Sequence, residues 1–316
     1  MTTESRQPGT QVPERCAACK STLLEALAPV FDPFTRRSFG LAGCRECGTR
    51  QVTGVTEAEI PSFYPKGYYA HVDGEDGALT RLRNRLVTAR TRARPTDRIL
   101  RLAMAGLVPG VPPVAPHAGA RLLDAGCGTG ERTVPFRSLG WDLHGTELDP
   151  VAAARAAEHG LVMHEPDLRD VADRSFACVR LWHSLEHFLD PGAILDECRR
   201  VLLPSGMLII GIPNSSGLPA RMFGVQWHHF DAPRHLVHFT RTGLERLLEA
   251  TRFDITFLAT YGDRGVVGSI ERIAIATGRE VAIKDRLPLV LLEMPFNLLL
   301  RWTGAGDLLE IHASPN

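Results

Sequence analysis

From residue 121 onward, short apolar runs alternate with stretches whose apolar residues recur at helical spacing. This alternation is typical of βα units and a parallel sheet. The runs predict seven strands: RLLDAG (121–126), DLHGTE (142–147), LVMHE (161–165), FACVRLW (176–182), MLIIGIP (207–213), FDITFLAT (253–260) and DLLEIHA (307–313). The pattern therefore predicts an α/β fold with a doubly wound, mostly parallel sheet.

Helical patterns separate these runs, and Pro150 and Pro191 begin two of them, a position that tolerates the missing N–H. A longer helical segment is predicted over 266–302. Its stretch LPLVLLEMPFNLLLRW (287–302) predicts core packing or the face of a homodimer. A surface for a lipid-linked acceptor is the alternative interpretation.

Four cysteines near the N-terminus form two C-x-x-C pairs separated by 24 residues, Cys16 with Cys19 and Cys44 with Cys47. Four thiolates can close a tetrahedral zinc site with no open position, so we predict a structural zinc ribbon. Binding of the ion would help to fold a unit too small to fold alone. Redox dithiols or simple reduced cysteines are the alternatives.

These features divide the chain into three parts. The ribbon is placed at 12–60, and a helical connector with a proline-rich linker at 61–118. The α/β domain follows at 119–316, with a substrate lid at 214–240. The connector is rich in arginine, which predicts a solvated face, or alternatively a docking surface for an anionic substrate.

Composition narrows the range of partners. The 316 residues carry a formal net charge of +0, so no overall field attracts nucleic acid or an acidic membrane. No signal peptide or membrane-spanning run is recognisable, which predicts a cytoplasmic location. A nucleic-acid-binding protein that reads its target with the ribbon and the arginine-rich helix is the alternative function.

A glycine-rich loop follows the first strand of the α/β domain. In LLDAGCGTGE (122–131), Gly126, Gly128 and Gly130 allow a tight turn and a close approach to a ligand. A dinucleotide fingerprint would place glycine or alanine at position 131, where this chain has Glu131. A carboxylate there is unfavourable beside a pyrophosphate, so a nicotinamide dehydrogenase is disfavoured.

The loop resembles that of class I methyltransferases that use S-adenosylmethionine. The resemblance rests on DAGCGTG, on GTELDP, on EPDL, and on LWHSLEHFLDP, LLPSG and IPN. It implies a Rossmann-like fold and residues that bind the cofactor: Asp124, Gly126, Gly128, Gly130, Glu147, Leu148, Asp167, Leu168 and His183. Glu147 is expected to accept both ribose hydroxyls, and Asp167 the adenine amino group. The alternative interpretation makes these acids helix caps.

The N-terminal region widens this resemblance to ubiquinone-type O-methyltransferases and zinc-ribbon sugar C-methyltransferases. Tyr64, Tyr68 and Tyr69 are similar to a tyrosine-rich element that follows the ribbon in such proteins. The resemblance implies that Tyr68 or Tyr69 closes over the carboxylate end of the cofactor. It implies methyl transfer to a small-molecule acceptor and leaves O-, C- and N-methylation open, with O-methylation favoured.

The segment HSLEH (183–187) also fits a zinc-peptidase pattern, but the break at Asp190-Pro191 leaves too short a helix. Its position after the fourth strand is where open α/β sheets bind ligands. We predict His187 as the general base, because its unperturbed pKa lies near working pH, with Glu186 orienting it. The alternative is that both residues only cap and anchor the loop.

A second histidine-rich segment, WHHFDAPRHLVHFT (227–240), precedes the next helix. Its position predicts one wall of the acceptor pocket, with His235 as an alternative base. The similarity of PRHLVHFT to zinc-ribbon methyltransferases implies that Arg234 and His235 hold the lid on the core. Candidate wall residues are Trp227, His228, His229, Arg234, His235 and His238.

Overall fold

A computed structural model describes residues 12–32, 35–64, 84, 87, 109–277, 279 and 287–316. The predicted connector, with Tyr68 and Tyr69, lies for the most part outside these residues. The described chain contains a seven-stranded sheet and a four-stranded sheet.

All seven predicted strands of the α/β domain are present. In chain order, eleven strands are described: β1 (Leu24–Asp32), β2 (Arg37–Cys44), β3 (Arg50–Thr53), β4 (Arg121–Ala125), β5 (Asp142–Thr146), β6 (Val162–Met163), β7 (Phe176–Trp182), β8 (Leu202–Pro213), β9 (Val237–His238), β10 (Phe253–Tyr261) and β11 (Leu308–Pro315). The large sheet has the order β10-β11-β8-β7-β4-β5-β6. Only β11 runs antiparallel to its neighbours, β10 and β8. The doubly wound, mostly parallel prediction is confirmed.

The strand order reverses between β4 and β7, which pair in parallel although two strands separate them in sequence. An open α/β sheet has a crevice at such a switch point, at the carboxyl ends of the strands. The glycine-rich loop follows β4 and HSLEH follows β7. The topology therefore brings the two segments together.

Six α-helices are described: α1 (Pro150–Glu158), α2 (Pro191–Val201), α3 (Leu218–Phe223), α4 (Arg241–Ala250), α5 (Gly265–Ala276) and α6 (Leu287–Thr303). Asp149 and Asp190 cap α1 and α2 by accepting backbone N–H groups. Each cap precedes a proline, as predicted, because proline at the first turn leaves no donor unsatisfied.

The small sheet joins the ribbon to residues 214–240, the segment predicted as a substrate lid and called the lid below. Strands β1, β2 and β3 form an antiparallel meander, and the fourth strand is β9, from the lid. Gln51 pairs with Val237 and Arg50 with His238. The ribbon is thus hydrogen-bonded to the segment that precedes α4.

One hydrophobic core passes through both units. It contains Phe39 and Phe63 from the N-terminal part, Leu236 from the lid, and Leu181 from β7. Within the described ranges, every helix falls short of the length and apolar character needed to cross a bilayer. The cytoplasmic location stays a prediction.

Candidate functional site

The glycine-rich loop has the backbone that its sequence predicts. Gly126, Gly128 and Gly130 have φ angles of +80°, +57° and +75°, a region that side chains with a Cβ rarely adopt. A Cβ on Gly126 would lie 2.8 Å from the Cβ of Ser184. The absence of a side chain at this position therefore lets the loop lie directly against HSLEH.

Asp124 is buried below this loop, and protein groups satisfy both of its carboxylate oxygens. Arg180 of β7 donates to them at 2.9 and 2.8 Å, and the Thr133 hydroxyl also donates. This network joins β4 to β7 and fixes the start of the loop. Sequence reasoning missed Arg180, although a charged residue within the apolar run FACVRLW was a visible signal.

Glu147 follows β5 at the same edge of the sheet. Its carboxylate accepts the backbone N–H of Gly128 at 2.8 Å and that of Asp149 at 2.9 Å. The acid is half-buried, so part of the carboxylate stays accessible. The helix cap is Asp149, not Glu147, and Glu147 is fixed beside the glycine loop with capacity to accept further hydrogen bonds.

The predicted adenine-binding residues follow β5 and β6, two neighbouring strands of the large sheet. Leu148 is 63% exposed, while Leu168 is buried. Asp167 caps a short 3₁₀ helix, Leu168–Asp170, and pairs with Arg169 at 2.5 Å. Burial contributes little there, so the hydrogen bonds from Arg169 lower the pKa of Asp167. An adenine amino group would share an acceptor that already has partners.

In HSLEH, the backbone of His183 has a left-handed conformation, and Leu185–His187 form a single 3₁₀ turn. The turn buries Glu186 and leaves His187 half-buried. Burial alone would raise the pKa of Glu186, but the neighbouring His183, His187 and His235 outweigh it and lower that pKa to about 2. The structure thus places an ionised carboxylate among three imidazoles.

Backbone carbonyls fix the orientation of two of these imidazoles. Nδ1 of His187 donates to the Arg234 carbonyl at 2.9 Å and lies 3.0 Å from the Tyr64 hydroxyl. Nδ1 of His235 donates to the His229 carbonyl at 2.8 Å. Because a carbonyl can only accept, Nδ1 of each ring carries a proton, and in the neutral form of each ring the lone pair lies on Nε2. Burial is the main cause that lowers the pKa of His235, to about 4.

His183 is held from two sides. Its Nδ1 lies 3.4 Å from Glu186, and its Nε2 lies 3.6 Å from Asp263, which follows β10. Burial opposes the charged ring, but the contacts with Asp263 and Glu186 raise the pKa of His183 to about 9. Sequence reasoning missed Asp263, which stands in a turn with no motif. It assigned Tyr64 to the tyrosine-rich element but missed its contact with His187, 123 residues away.

The other residues of the histidine-rich segment have structural partners. Arg234 is buried and pairs with Asp231 and Asp32. His229 lies 3.8 Å from the buried Asp307, and His238 stacks on Phe230 at 4.1 Å. Trp227 is buried. These residues contact the ribbon, the lid itself and the segment before β11, and of the candidate wall residues only His235 lies beside Glu186.

The four ribbon cysteines come together as predicted. Their sulfur atoms all lie within 4.8 Å of one another, with Cys16 3.7 Å from Cys47 and Cys19 3.5 Å from Cys44. In a tetrahedral site with Zn–S bonds of about 2.3 Å, neighbouring sulfurs are about 3.8 Å apart. The donor set and its spacing therefore fit zinc.

Comparison with known proteins supports the class of enzyme that these features define. A family model described as a methyltransferase domain matches residues 87–257. Ubiquinone biosynthesis O-methyltransferase from Cereibacter sphaeroides is 32% identical over 123 residues, or 35% of this chain and 49% of that protein. The protein of the same name from Xanthomonas oryzae pv. oryzae is 36% identical over 106 residues, or 31% of this chain and 44% of that protein.

A crystal structure of an S-adenosylmethionine-dependent methyltransferase from Archaeoglobus fulgidus superposes with a TM-score of 0.45 at 18% identity, covering 73% of this chain and 94% of that one. This chain spans about half the length of the curated relatives it matches. The family match covers more than half of the chain. The chain therefore belongs to the methyltransferase domain family.

Proposed function

We propose that this enzyme transfers the methyl group of S-adenosylmethionine to an oxygen of a small-molecule acceptor in specialised metabolite or sugar biosynthesis. The observation that carries the proposal is the contact between Gly126 and Ser184, where a Cβ would be only 2.8 Å away. The cofactor loop and the segment with three ionisable side chains therefore share one crevice.

The cofactor would bind along the carboxyl edge of the large sheet. The carboxylate of Glu147 would accept the ribose hydroxyls, and Leu148 and Leu168 would contact the adenine, with Asp167 near its amino group. Asp124 would act indirectly, because Arg180 and Thr133 occupy its oxygens. The half-buried Glu147 beside the N–H of Gly128 supports this orientation.

S-adenosylmethionine supplies an activated methyl group, and the acceptor oxygen must lose its proton as it attacks. Of the groups near the crevice, we propose that the cluster of Glu186, His187 and His235 accepts this proton. His187 is our first choice as the base, because its Nδ1 proton is committed to a carbonyl and its Nε2 can accept. Glu186 and His235 are buried, so water has little access to these two members of the cluster.

We further propose that Cys16, Cys19, Cys44 and Cys47 bind a structural zinc ion. Four sulfurs leave no position for a substrate, so the ion would stabilise the fold. Thr240 of the lid donates to the carbonyl of Cys47. The zinc site would therefore help to hold the lid, as well as the ribbon itself.

The test is a screen for methyl transfer from S-adenosylmethionine that carries a deuterated methyl group. Candidate phenols, hydroxy acids and sugar derivatives are incubated with the enzyme, and mass spectrometry detects labelled products. We expect a labelled product whose methyl group sits on oxygen. A product labelled on carbon or nitrogen would overturn the oxygen assignment, and labelling of nucleic acid would favour the alternative in which the ribbon reads a nucleic acid.

A further inference from the structure

Two histidines and one glutamate at the crevice present a set of ligand atoms that point to a metal ion. One ligand atom each from Glu186, His187 and His235 lie within 4.8 Å of one another. His235 Nε2 is 4.0 Å from Glu186 Oε1. The three residues come from two segments, the turn after β7 and the lid, so their proximity is a product of the fold and not of a local motif.

The Glu186 carboxylate supplies a second, independent observation. Its side chain is 1% exposed, and in the part of the chain that the structure describes neither oxygen has a hydrogen-bond partner of good geometry. His183, at 3.4 Å, gives it an ion-pair contact only. A buried charge without hydrogen bonds is costly, and coordination of a metal ion is a common way to compensate for it.

The two histidines have the arrangement of metal ligands. A ligating imidazole usually donates its other ring N–H to a carbonyl or carboxylate, which fixes the tautomer. His187 donates from Nδ1 to the carbonyl of Arg234, and His235 donates from Nδ1 to that of His229. Both rings therefore offer a lone pair on Nε2, and both are held by backbone that belongs to the lid.

We propose that Glu186, His187 and His235 bind one divalent transition-metal ion, and that a hydroxyl oxygen of the acceptor completes its coordination. Two imidazoles and one carboxylate suit ions such as Zn²⁺, Mn²⁺ or Fe²⁺ and leave positions open. Bond lengths of about 2.0 to 2.2 Å require the ligand atoms to move closer than 4.0 Å, so binding contracts the cluster.

This inference rests on the proposed function and changes one part of it, the fate of the acceptor's proton. The acceptor hydroxyl binds to the ion, which lowers its pKa, and its proton passes to water. An oxygen lone pair then forms a bond to the methyl carbon. The carbon–sulfur bond breaks with its electron pair on sulfur, which gives the methyl ether, S-adenosylhomocysteine and one released proton. His187 is a ligand of the ion in this scheme.

Co²⁺ is the probe that separates this site from the ribbon. The full-length protein is prepared with zinc in the ribbon, freed of weakly bound ions, and titrated with Co²⁺, while zinc is measured by mass spectrometry. We expect one Co²⁺ per chain in addition to the zinc, with ligand-field absorption and no thiolate charge-transfer band. A thiolate band would show Co²⁺ in the ribbon and would overturn the assignment.

Variants locate the ion. Glu186→Gln, which keeps the shape of the side chain, and His235→Ala should each weaken Co²⁺ binding at least about 10-fold. Changes to residues that merely support metal ligands already cost about 10- to 100-fold in affinity, so loss of a ligand should cost at least as much. His164→Ala is the matched control, because His164 forms a separate pair with His144 at 2.9 Å, and it should bind Co²⁺ normally. Unchanged binding in both cluster variants, or no second ion in the parent, would refute the proposal.

S-adenosylhomocysteine binding, measured by calorimetry on the same samples, keeps the two proposals apart. Retained cofactor binding in Glu186→Gln and His235→Ala shows that both variants are folded, so a loss of Co²⁺ binding then belongs to the site. If the parent bound Co²⁺ but no S-adenosylhomocysteine, the proposed function would fail and the metal site would stand. If the parent bound S-adenosylhomocysteine but no Co²⁺, the metal site alone would fail.

Discussion

Arg234 and Asp32, 202 residues apart in the chain, form an ion pair of 3.0 Å in which neither side chain is exposed. Arg234 belongs to the lid, and Asp32 ends β1 in the ribbon. The same guanidinium pairs with Asp231 at 2.6 Å. The backbone carbonyl of Arg234 also orients His187. A single lid residue therefore connects the ribbon to the crevice.

Replacement of Asp32 by asparagine should destabilise the protein by about 3 kcal/mol. Loss of one partner from a buried ion pair costs about 3 to 5 kcal/mol. Asp231 remains as a partner of Arg234 in this variant, so we expect a loss near the lower value. Urea denaturation measures the change. The control is Glu25→Gln, which breaks an exposed pair with Arg45 and should cost less than about 1 kcal/mol. Equal losses in both variants would contradict a structural role for the buried pair.

Cys16→Ser should lower zinc content and stability and leave a folded remnant that binds the cofactor. A serine hydroxyl is a poor replacement for a thiolate in a four-sulfur site. Metal analysis and thermal denaturation measure the two effects. Cys198→Ser is the matched control, since Cys198 is also buried but lies in α2, away from the cluster. The ribbon hypothesis fails if the Cys16 variant keeps the zinc content of the parent.

His187→Ala should reduce turnover of the acceptor by roughly 100-fold or more, the usual scale of an acid–base contribution. Affinity for S-adenosylhomocysteine should persist, because the Glu147 carboxylate is held by the backbone of Gly128 and Asp149 and not by His187. Single-turnover kinetics and calorimetry give the two numbers. His164→Ala serves as the control and should leave turnover unchanged. Full activity of the His187 variant would show that His187 is not the base, and His235 would be the next candidate.

The protein should lose stability as the pH falls from about 6.5 toward 3, in part because of His238. Burial, with smaller contributions from His235 and Arg50, lowers the pKa of His238 to about 3. Between about pH 6.5 and pH 3, His238 is protonated in the unfolded chain but not in the folded chain. The free energy of unfolding therefore falls by up to about 1.4 kcal/mol for each pH unit.

His238→Phe should reduce this sensitivity to acid and should keep the stack on Phe230. The measurement is the difference in unfolding free energy between pH 7 and pH 5, obtained with urea. His117→Phe replaces an exposed histidine and should leave the difference as it is in the parent. An unchanged difference in the His238 variant would show that other groups cause the loss.

The sequence predicts the large sheet well because its signals are local. The central strands β4, β7 and β8 are largely buried apolar runs, and aspartate followed by proline marks the starts of α1 and α2. The same is true of the glycine loop and of Glu147, which occupy the ends of adjacent strands. The zinc ligands are recognisable for a similar reason, since each C-x-x-C pair is a local motif.

The contacts that build the crevice are long-range and leave no pattern in the sequence. Strand β9 has only two residues, Val237 and His238, so no alternation reveals that it completes the ribbon's sheet. Asp263 reaches His183 from a turn after β10, and Tyr64 reaches His187 from the N-terminal part of the chain. Such pairs depend on packing, which propensity and spacing do not encode.

The most direct test of the account is calorimetric titration of S-adenosylhomocysteine into the parent and the Glu147→Gln variant. Hydrogen bonds to a charged group contribute about 1.5 to 3 kcal/mol, so the variant should bind about 10- to 100-fold more weakly. Glu131→Gln, beside the same loop, is the control and should bind like the parent. Failure of the parent to bind, or equal affinity of the parent and the Glu147 variant, would contradict the cofactor site proposed at the carboxyl edge of the sheet.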